Sequence, residues 1–432
     1  MVEPNALQQD DPTAAATEPT PGSDASPANL ADERLIQSQS LGDYARAFGQ
    51  RIRGGDLGSL PVVLGLVIIC IAFYAKSPGF LSSYQIVSMT QFAAPIGIIA
   101  LATVLVLLVG EIDLSIGSVS GMAAAIMAVQ MVHHGQSMAV SLLLGIASGA
   151  AVGLLYSILF VRLGVPSFVF SLAGLLGFQG VLLFVLGKDG TINLPPDAGI
   201  VRFARTVFVS GTAAYVLVVV IVAVYLAASL WGRRRRLSAG LPTLPILFPV
   251  AKAVLMLVGL LFLTWYLNIN RGWSALWLLF VALVVITDLL LRKTRWGRHL
   301  FAIGGNEEAA RRAGINVTLI YVSVFVACST LSAVGGLLAA GQLTAVSQTS
   351  GTTDTNLTAI AAAVIGGTSL FGGRGSAYSA MLGIMVLQAI QTGLNVIGVD
   401  SSVRFMVTGG VLLVAVAIDS ISRKARSSSG RG

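Results

Sequence analysis

From Leu60 onward the chain is a near-continuous series of apolar stretches, and that pattern limits its fold more than any other feature. A helix that crosses a bilayer needs roughly 17–25 predominantly apolar residues. Stretches of about this kind lie at 60–75, 92–110, 116–132, 137–161, 165–187, 212–231, 247–267, 273–291, 317–341, 357–371, 376–397 and 402–419. The expected fold is therefore all-α, a polytopic transmembrane helical bundle of about 12 spans occupying residues 59–420. The stretch 357–371 is short and bracketed by Gly366-Gly367 and Gly372-Gly373, so it is expected to be a broken or re-entrant helix buried within protein. Composition excludes a soluble alternative, because charged residues make up 11% of the chain and mean hydropathy is +0.84, against about 25% charged in ordinary soluble domains.

Before the first stretch, residues 1–58 carry nine acids and four arginines. Residues 1–40 have no sustained apolar period and no basic segment leading into an apolar one, so they read as a disordered cytoplasmic tail. Leu41, Tyr44, Ala45, Phe48 and Ile52 share a helical face, which fits either an interfacial helix over 41–53 or a helical linker. Residues 421–432 form a basic C-terminal tail.

Orientation follows from the basic residues, which concentrate in cytoplasmic loops. With both termini cytoplasmic, 20 of the 27 Lys and Arg fall inside and six outside, namely Lys76, Lys188, Arg202, Arg205, Arg271 and Arg404, with Lys252 at a boundary. This topology also accounts for the basic excess without nucleic acid as a partner.

Catalysis is disfavoured. The Gly-Lys pair Gly187-Lys188 is followed by Asp189, so no phosphate-binding loop ends in Gly-Lys-Ser or Gly-Lys-Thr. His133, His134 and His299 have no partners at metal-ligand or triad spacing, and Cys70 and Cys328 lie far apart in apolar runs. No bound cofactor or metal is expected.

The most informative polar stretch is the loop 292–316, RKTRWGRHLFAIGGNEEAARRAGIN. Asn306 suits an N-cap, Glu307 and Glu308 the positive end of a short helix, Arg311 and Arg312 its negative end, and Gly314 the C′ position. Two turns are marginal alone in water, so this helix either docks against a partner or caps two spans.

Elsewhere, Glu111, Asp113 and Ser115 interrupt the apolar pattern between two spans. Acids there either gate a path, brace its walls, or sit in a solvated turn with Asp113 capping the next helix. Gln179, Asn356, Thr368, Ser369, Gln388, Gln391, Thr392 and Asn395 offer uncharged hydrogen-bonding groups that suit either passage of a neutral polyol or helix-to-helix bonding. Gly145, Gly149 and Gly153 form a smooth ridge for close helix approach, and Asp288 has Arg292 as its i+4 partner.

Glu308-Ala309-Ala310 followed by Gly314 resembles the EAA loop of ATP-binding-cassette importer permeases, which inserts into a cleft on the ATPase subunit. GRHLFAIGGNEEAARRAGIN at 297–316, EIDLSIGS at 111–118, VPSFVFSLAG at 165–174 and AIAAAVIGGTSLFGGRGS at 359–376 resemble, more narrowly, the ribose, xylose and galactose permeases. The resemblance covers roughly residues 85–420 in order. It implies a coupling element at Gly304, Gly305, Asn306, Glu307, Glu308, Ala309, Ala310, Arg311 and Gly314. It also implies a homodimer in the inner membrane, a separate ATPase that uses ATP and Mg, an extracytoplasmic sugar-binding protein and a monosaccharide substrate. Three spans in 212–291, where the ribose-type pattern carries one, resemble the xylose-type permeases and point to xylose. The competing class is an ion-coupled secondary sugar transporter, which is expected to show similarity between its halves.

Overall fold

The computed structural model describes residues 60–241, 243 and 245–428. The expected tail over 1–58, with its helix at 41–53, and the last four residues of the basic tail lie outside the described residues. The elements in order are α1 (Leu60–Lys76), α2 (Ser83–Leu108), α3 (Ile116–Val132), α4 (Met138–Val161), α5 (Ser167–Leu186), β1 (Thr191–Asn193), α6 (Gly199–Arg205), β2 (Phe208–Val209), α7 (Gly211–Ser238) and α8 (Leu247–Asn268). They continue with β3 (Trp273–Ser274), α9 (Ala275–Lys293), α10 (Arg295–Gly305), α11 (Glu307–Arg312), α12 (Val317–Leu343), β4 (Ala345–Ser347), α13 (Thr353–Ile365), α14 (Ala377–Val396) and α15 (Ser401–Ser428). Two short 3-10 turns, Pro78–Leu81 and Gly187–Asp189, complete the set.

The molecule is a helical membrane bundle. Eight of the described helices are long and apolar enough to cross a membrane, and Leu60–Lys76, Ile116–Val132 and Asp354–Ile365 are shorter apolar helices. Each of the twelve apolar stretches became a helix; α2 and α13 start earlier than the hydropathy alone places them, and at α2 Ser82 caps the earlier start by accepting from the Gln85 amide (3.4 Å). The last helix continues through residue 428, past the start of the basic tail at 421.

At the centre stands α2, with 83% of its most apolar window buried. It packs against α12, α14, α13 and α9. Glycines set how closely the helices approach. A Cβ on Gly97 would stand 2.6 Å from the Phe280 ring of α9. The ridge on α4 does what its spacing predicts: Cβ atoms on Gly145, Gly149 and Gly153 would meet Leu337, Ala333 and Val326 of α12 at 2.8, 2.6 and 2.5 Å.

The helix α13 has 13 residues, a rise of about 20 Å against a hydrocarbon core of about 30 Å. It does not cross alone. Its first turn lies beside the first turn of α3, where Asn356 Oδ1 accepts from the Gly117 amide. A Cβ on Gly121 would reach within 2.2 Å of the Ser350 carbonyl oxygen, so the chain before α13 enters the bundle interior over a glycine face. The broken character expected for 357–371 thus takes the form of a helix about two-thirds of a span long, running from inside the bundle to one end.

Two antiparallel ribbons close the opposite end. In one, Thr191, Ile192 and Asn193 of β1 pair with Ser347, Val346 and Ala345 of β4, and in the other, β2 pairs with β3. The hairpin of α7 and α8 is peripheral, its windows only 17% and 11% buried. It is fixed to the body at this ribbon end, where the Tyr266 hydroxyl donates to the Leu81 carbonyl (2.7 Å) and Ser83 Oγ to the Leu267 carbonyl (3.3 Å).

Candidate functional site

At the end of the bundle away from the ribbons, four segments meet: the turn 109–115 between α2 and α3, the start of α5, the α10–α11 connection, and the loop 366–376 after α13. Local chemistry builds each of them. Thr294 caps α10 by accepting from the Gly297 amide (3.2 Å), and the residues α10 buries are Gly297, Leu300 and Ile303, one amphipathic stripe. Asn306 caps α11, its Oδ1 accepting from the Ala309 amide (2.9 Å), and Gly314 closes the segment at φ 81°. Along α11, Arg311 pairs with Glu307 (2.6 Å), and Arg312 with Glu308. Glu308 and both arginines are exposed, whereas Ala310 is buried against the bundle. The helix therefore shows a charged face outward and a small-residue face inward.

Glycine backbones lock the end of α10, which leads directly into α11, to the membrane helices. A Cβ on Gly304 would stand 1.9 Å from the Leu108 carbonyl oxygen at the end of α2, and 2.5 Å from the Gly373 amide nitrogen. Gly372 and Gly373, at φ 83° and 70°, place their backbone against the Gly304 carbonyl, and the Gly373 amide donates to the Leu108 carbonyl (2.9 Å). Only residues without a Cβ adopt these dihedrals and contacts together without strain. A Cβ on Gly305 would meet nothing within 4 Å, although its backbone also lies against Gly373, so of the adjacent pair it is Gly304 that leaves no room for a side chain.

The turn 109–115 is not solvated. Asp113 is 1% exposed, and its Oδ1 accepts from both the amide (2.8 Å) and the hydroxyl (2.7 Å) of Ser115. The Tyr156 hydroxyl of α4 donates to Ser115 Oγ (2.6 Å), extending the chain of bonds from the turn to α4. Tyr156 is held there by Phe170 at a centroid separation of 4.6 Å, and Gly174 of α5 leaves room for its hydroxyl, since a Cβ would overlap it at 1.8 Å. Glu111 is half-buried. Burial pushes its carboxyl above the usual range, a hydrogen bond from the Ser167 hydroxyl opposes that shift, and the nearby Glu307 carboxylate adds to it. The Tyr321 hydroxyl donates to Glu307 Oε2 (3.1 Å), so α11 is bonded to the second turn of α12. Between these groups is a cavity of about 530 Å³ lined by Phe160, Pro166, Glu307, Arg311, Asn316 and Tyr321, among others.

The remaining polar residues are more scattered. Thr368 Oγ1 is buried with no hydrogen-bond partner among the described residues, beside the turn that Ser369 shapes by accepting from the Phe371 amide (3.2 Å). Gln179 Nε2 on α5 donates to the carbonyl of Gln348, the residue after β4 (2.7 Å). Gln388 bonds to Thr392 on its own helix (3.3 Å), and Asn395 accepts from Arg404. Glu111, Asp113, Ser115, Thr368 and Ser369 therefore lie near the coupling-like element, while Gln179, Gln388 and Asn395 do not join them. Asp288 takes its expected partner, Arg292 Nε, at 2.7 Å. Ser167, Tyr156 and Tyr321 are parts of the site that sequence patterns did not single out. A hydroxyl-bearing aromatic one turn inside a span was the available signal.

The apolar helices make a polytopic membrane protein that presents a charged helix at one end. The chain belongs to the family described as branched-chain amino acid transport system / permease component, whose model matches residues 85–416. Among its relatives, the xylose transport system permease protein XylH of Haemophilus influenzae is 32% identical over 368 residues, 84% of this chain and 96% of the relative. XylH of Escherichia coli K12 is 30% identical, covering 84% and 92%. The ribose import permease protein RbsC of Bacillus subtilis is 29% identical, covering 84% and 94%. No solved structure matches. The protein is a multi-pass inner-membrane permease and not an enzyme.

Proposed function

We propose that this chain is the permease subunit of an ATP-binding-cassette importer that carries a monosaccharide, with xylose as the first candidate. The observation that carries this reading is the meeting of four separated motifs at one end of the bundle around the charged outer face of α11. The relatives support the substrate class: those named above are named for xylose and ribose, and a further relative from Rhizobium meliloti is a fructose import permease protein, 28% identical. The family description names branched-chain amino acids, whereas every relative cited here is named for a sugar.

In this reading a separate ATPase subunit, which holds ATP and Mg, seats α11, with Glu307, Glu308, Arg311 and Ala309 on the docking surface and the adjoining 530 Å³ cavity receiving part of it. Gly304, at the end of α10 just before α11, rests against Leu108 and Gly373 and passes a displacement of the α10–α11 element to α2 and to the loop behind α13, because backbone in contact with backbone has no side chain to absorb it. The bonds of Asp113, Ser115 and Tyr156 favour a bracing role for that turn over direct gating. Two copies of the chain would enclose the path, and an extracytoplasmic binding protein would deliver sugar at the ribbon end. Twelve passes with both termini cytoplasmic place α11, Arg162, Arg233 to Arg236 and Arg374 inside, and Lys76, Lys188, Arg202, Arg205, Arg271 and Arg404 outside, in keeping with the positive-inside rule.

The test is uptake of labelled xylose, ribose and leucine into proteoliposomes containing the chain with its candidate ATPase and binding protein. Xylose uptake that requires all components and ATP is expected, as is a loss of at least about tenfold in Glu308→Lys with the fold intact, since an exposed ion pair is worth only about 0–1 kcal/mol. Uptake by this chain alone, driven by an ion gradient, would overturn the reading in favour of a secondary transporter. ATP-dependent uptake of leucine alone would overturn the substrate class.

A further inference from the structure

We propose that the α7–α8 hairpin carries a binding site for anionic phospholipid headgroups, formed by Arg234, Arg235 and Arg236. Between Asp197 and Asp288 the sequence contains no acidic residue, so the hairpin has no carboxylate of its own to neutralise these cations. Arg234, Arg235 and Arg236 are exposed at the last turns of α7, and successive residues 100° apart spread them around the helix rather than along one face. Lys252 of the neighbouring helix lies further along the hairpin, its Nζ 5.7 Å from the centre of the Tyr225 ring. Trp231 is 66% exposed and has the Arg235 guanidinium 5.3 Å above its ring. An exposed tryptophan beside a ring of arginines is the arrangement that sits at headgroup level.

The surroundings argue for lipid as the occupant. The windows of α7 and α8 are 17% and 11% buried, and Val224, Leu255, Val258 and Phe262 are all more than half exposed. Acyl chains suit those walls, and a phosphate-bearing headgroup suits the cationic rim directly above them. A run of arginines next to a membrane surface attracts anionic lipid. The hydrogen bonds that fix the hairpin to the body lie at its other end, at Tyr266 and Leu267, so the charged end is held by the membrane rather than by those bonds.

The experiment is native mass spectrometry of the full chain released from nanodiscs of mixed phosphatidylglycerol and phosphatidylcholine. The wild-type protein is expected to retain phosphatidylglycerol over phosphatidylcholine. Substituting Arg234→Gln, Arg235→Gln and Arg236→Gln together is expected to reduce that preference at least about tenfold. The same positions changed to Lys keep the charge and the preference, which separates loss of the site from loss of the fold. Arg202→Gln with Arg205→Gln, at the opposite end, leaves the preference unchanged. Equal retention by wild type and the Gln variant overturns the proposal, as does a loss in the Arg202 and Arg205 control that matches it. Displacement of the lipid by inorganic phosphate would also overturn it, by showing that the cluster reads free phosphate. Cross-linking of the cluster to the acidic residues of 1–58 in the lipid-bound state would assign it to the tail instead.

Discussion

Helices α2 and α8 are almost equally apolar, yet 83% of the α2 window is buried and 11% of the α8 window. Hydropathy marks both as membrane segments and cannot tell them apart, because lipid and protein interior are equally apolar. The difference lies in small residues and in where each helix meets backbone. On α2, Gly97 lies under the Phe280 ring; on α8, Gly259 meets nothing within 4 Å. A glycine pressed against a neighbouring element marks the core of a membrane bundle, and a glycine in open space marks its rim.

The sharpest break in that comparison is at Gly304. Gly304→Leu drives a side chain into the Leu108 carbonyl and the Gly373 amide, neither of which can move without displacing α2 or the loop after α13. ATP-driven uptake is expected to fall at least about 100-fold, with a loss of stability at or beyond the usual ~1–3 kcal/mol for overpacking. Gly305→Leu, with open space at its Cβ, retains assembly. Uptake and thermal-shift measurements on the two variants check this, and equal damage at both positions would remove Gly304 from any role as a contact point.

A smaller contrast separates the two helices themselves. Ile98→Ala on α2, fully buried, is expected to cost about 2 kcal/mol or more through the cavity it leaves. Leu255→Ala on α8, 75% exposed, is expected to stay within about 0.5 kcal/mol. Unfolding of the purified protein in mixed micelles reads both. Equal costs would mean that α8 is covered by a partner.

How much of this was legible follows from the same physics. The twelve apolar stretches, the cap at Asn306, the stop at Gly314, the Asp288 pair with Arg292 and the ridge of Gly145, Gly149 and Gly153 all depend on neighbours within one turn or on composition, and the sequence carries them. The burial of Asp113 did not show, because a two-residue interruption of an apolar run is the same string whether it faces water or enters the bundle. Tyr156, Tyr321 and Ser167 were missed because their partners lie on other helices. The pairing of Gly304 with Leu108 and Gly373 is likewise tertiary. Four motifs in order indicated that those segments matter, and only the packing shows that they touch.

The turn at Glu111 gives a pH-dependent test. Burial holds its carboxyl above the ordinary value of 4.5, so folding favours the protonated form. That contribution is fully present below the unfolded value and is lost as pH rises through the raised folded value. Glu111→Gln removes the titration. The variant is expected to match wild type in acid and to exceed it in stability by an amount that grows as pH rises from the unfolded value to the raised one and is level above it. Thermal-shift profiles from pH 4 to about 8 test this. Parallel profiles would show that the Ser167 bond compensates for burial fully.

The smallest effect belongs at the rim. Gly259→Ala adds a methyl group where nothing lies within 4 Å, in a helix interior where alanine is favoured over glycine by about 0.8–1.0 kcal/mol in water. Part of that preference reflects solvation of exposed backbone, a term that lipid removes, so a gain of about 0.5 kcal/mol is expected, with uptake unchanged. Gly97→Ala on α2 makes the opposite change, since its methyl group would meet the Phe280 ring at 2.6 Å. One substitution made in two equally apolar helices should therefore give opposite signs in the same unfolding assay. Destabilisation at both positions would show that α8 packs against something as tightly as α2 does, and the rim would then be an interface.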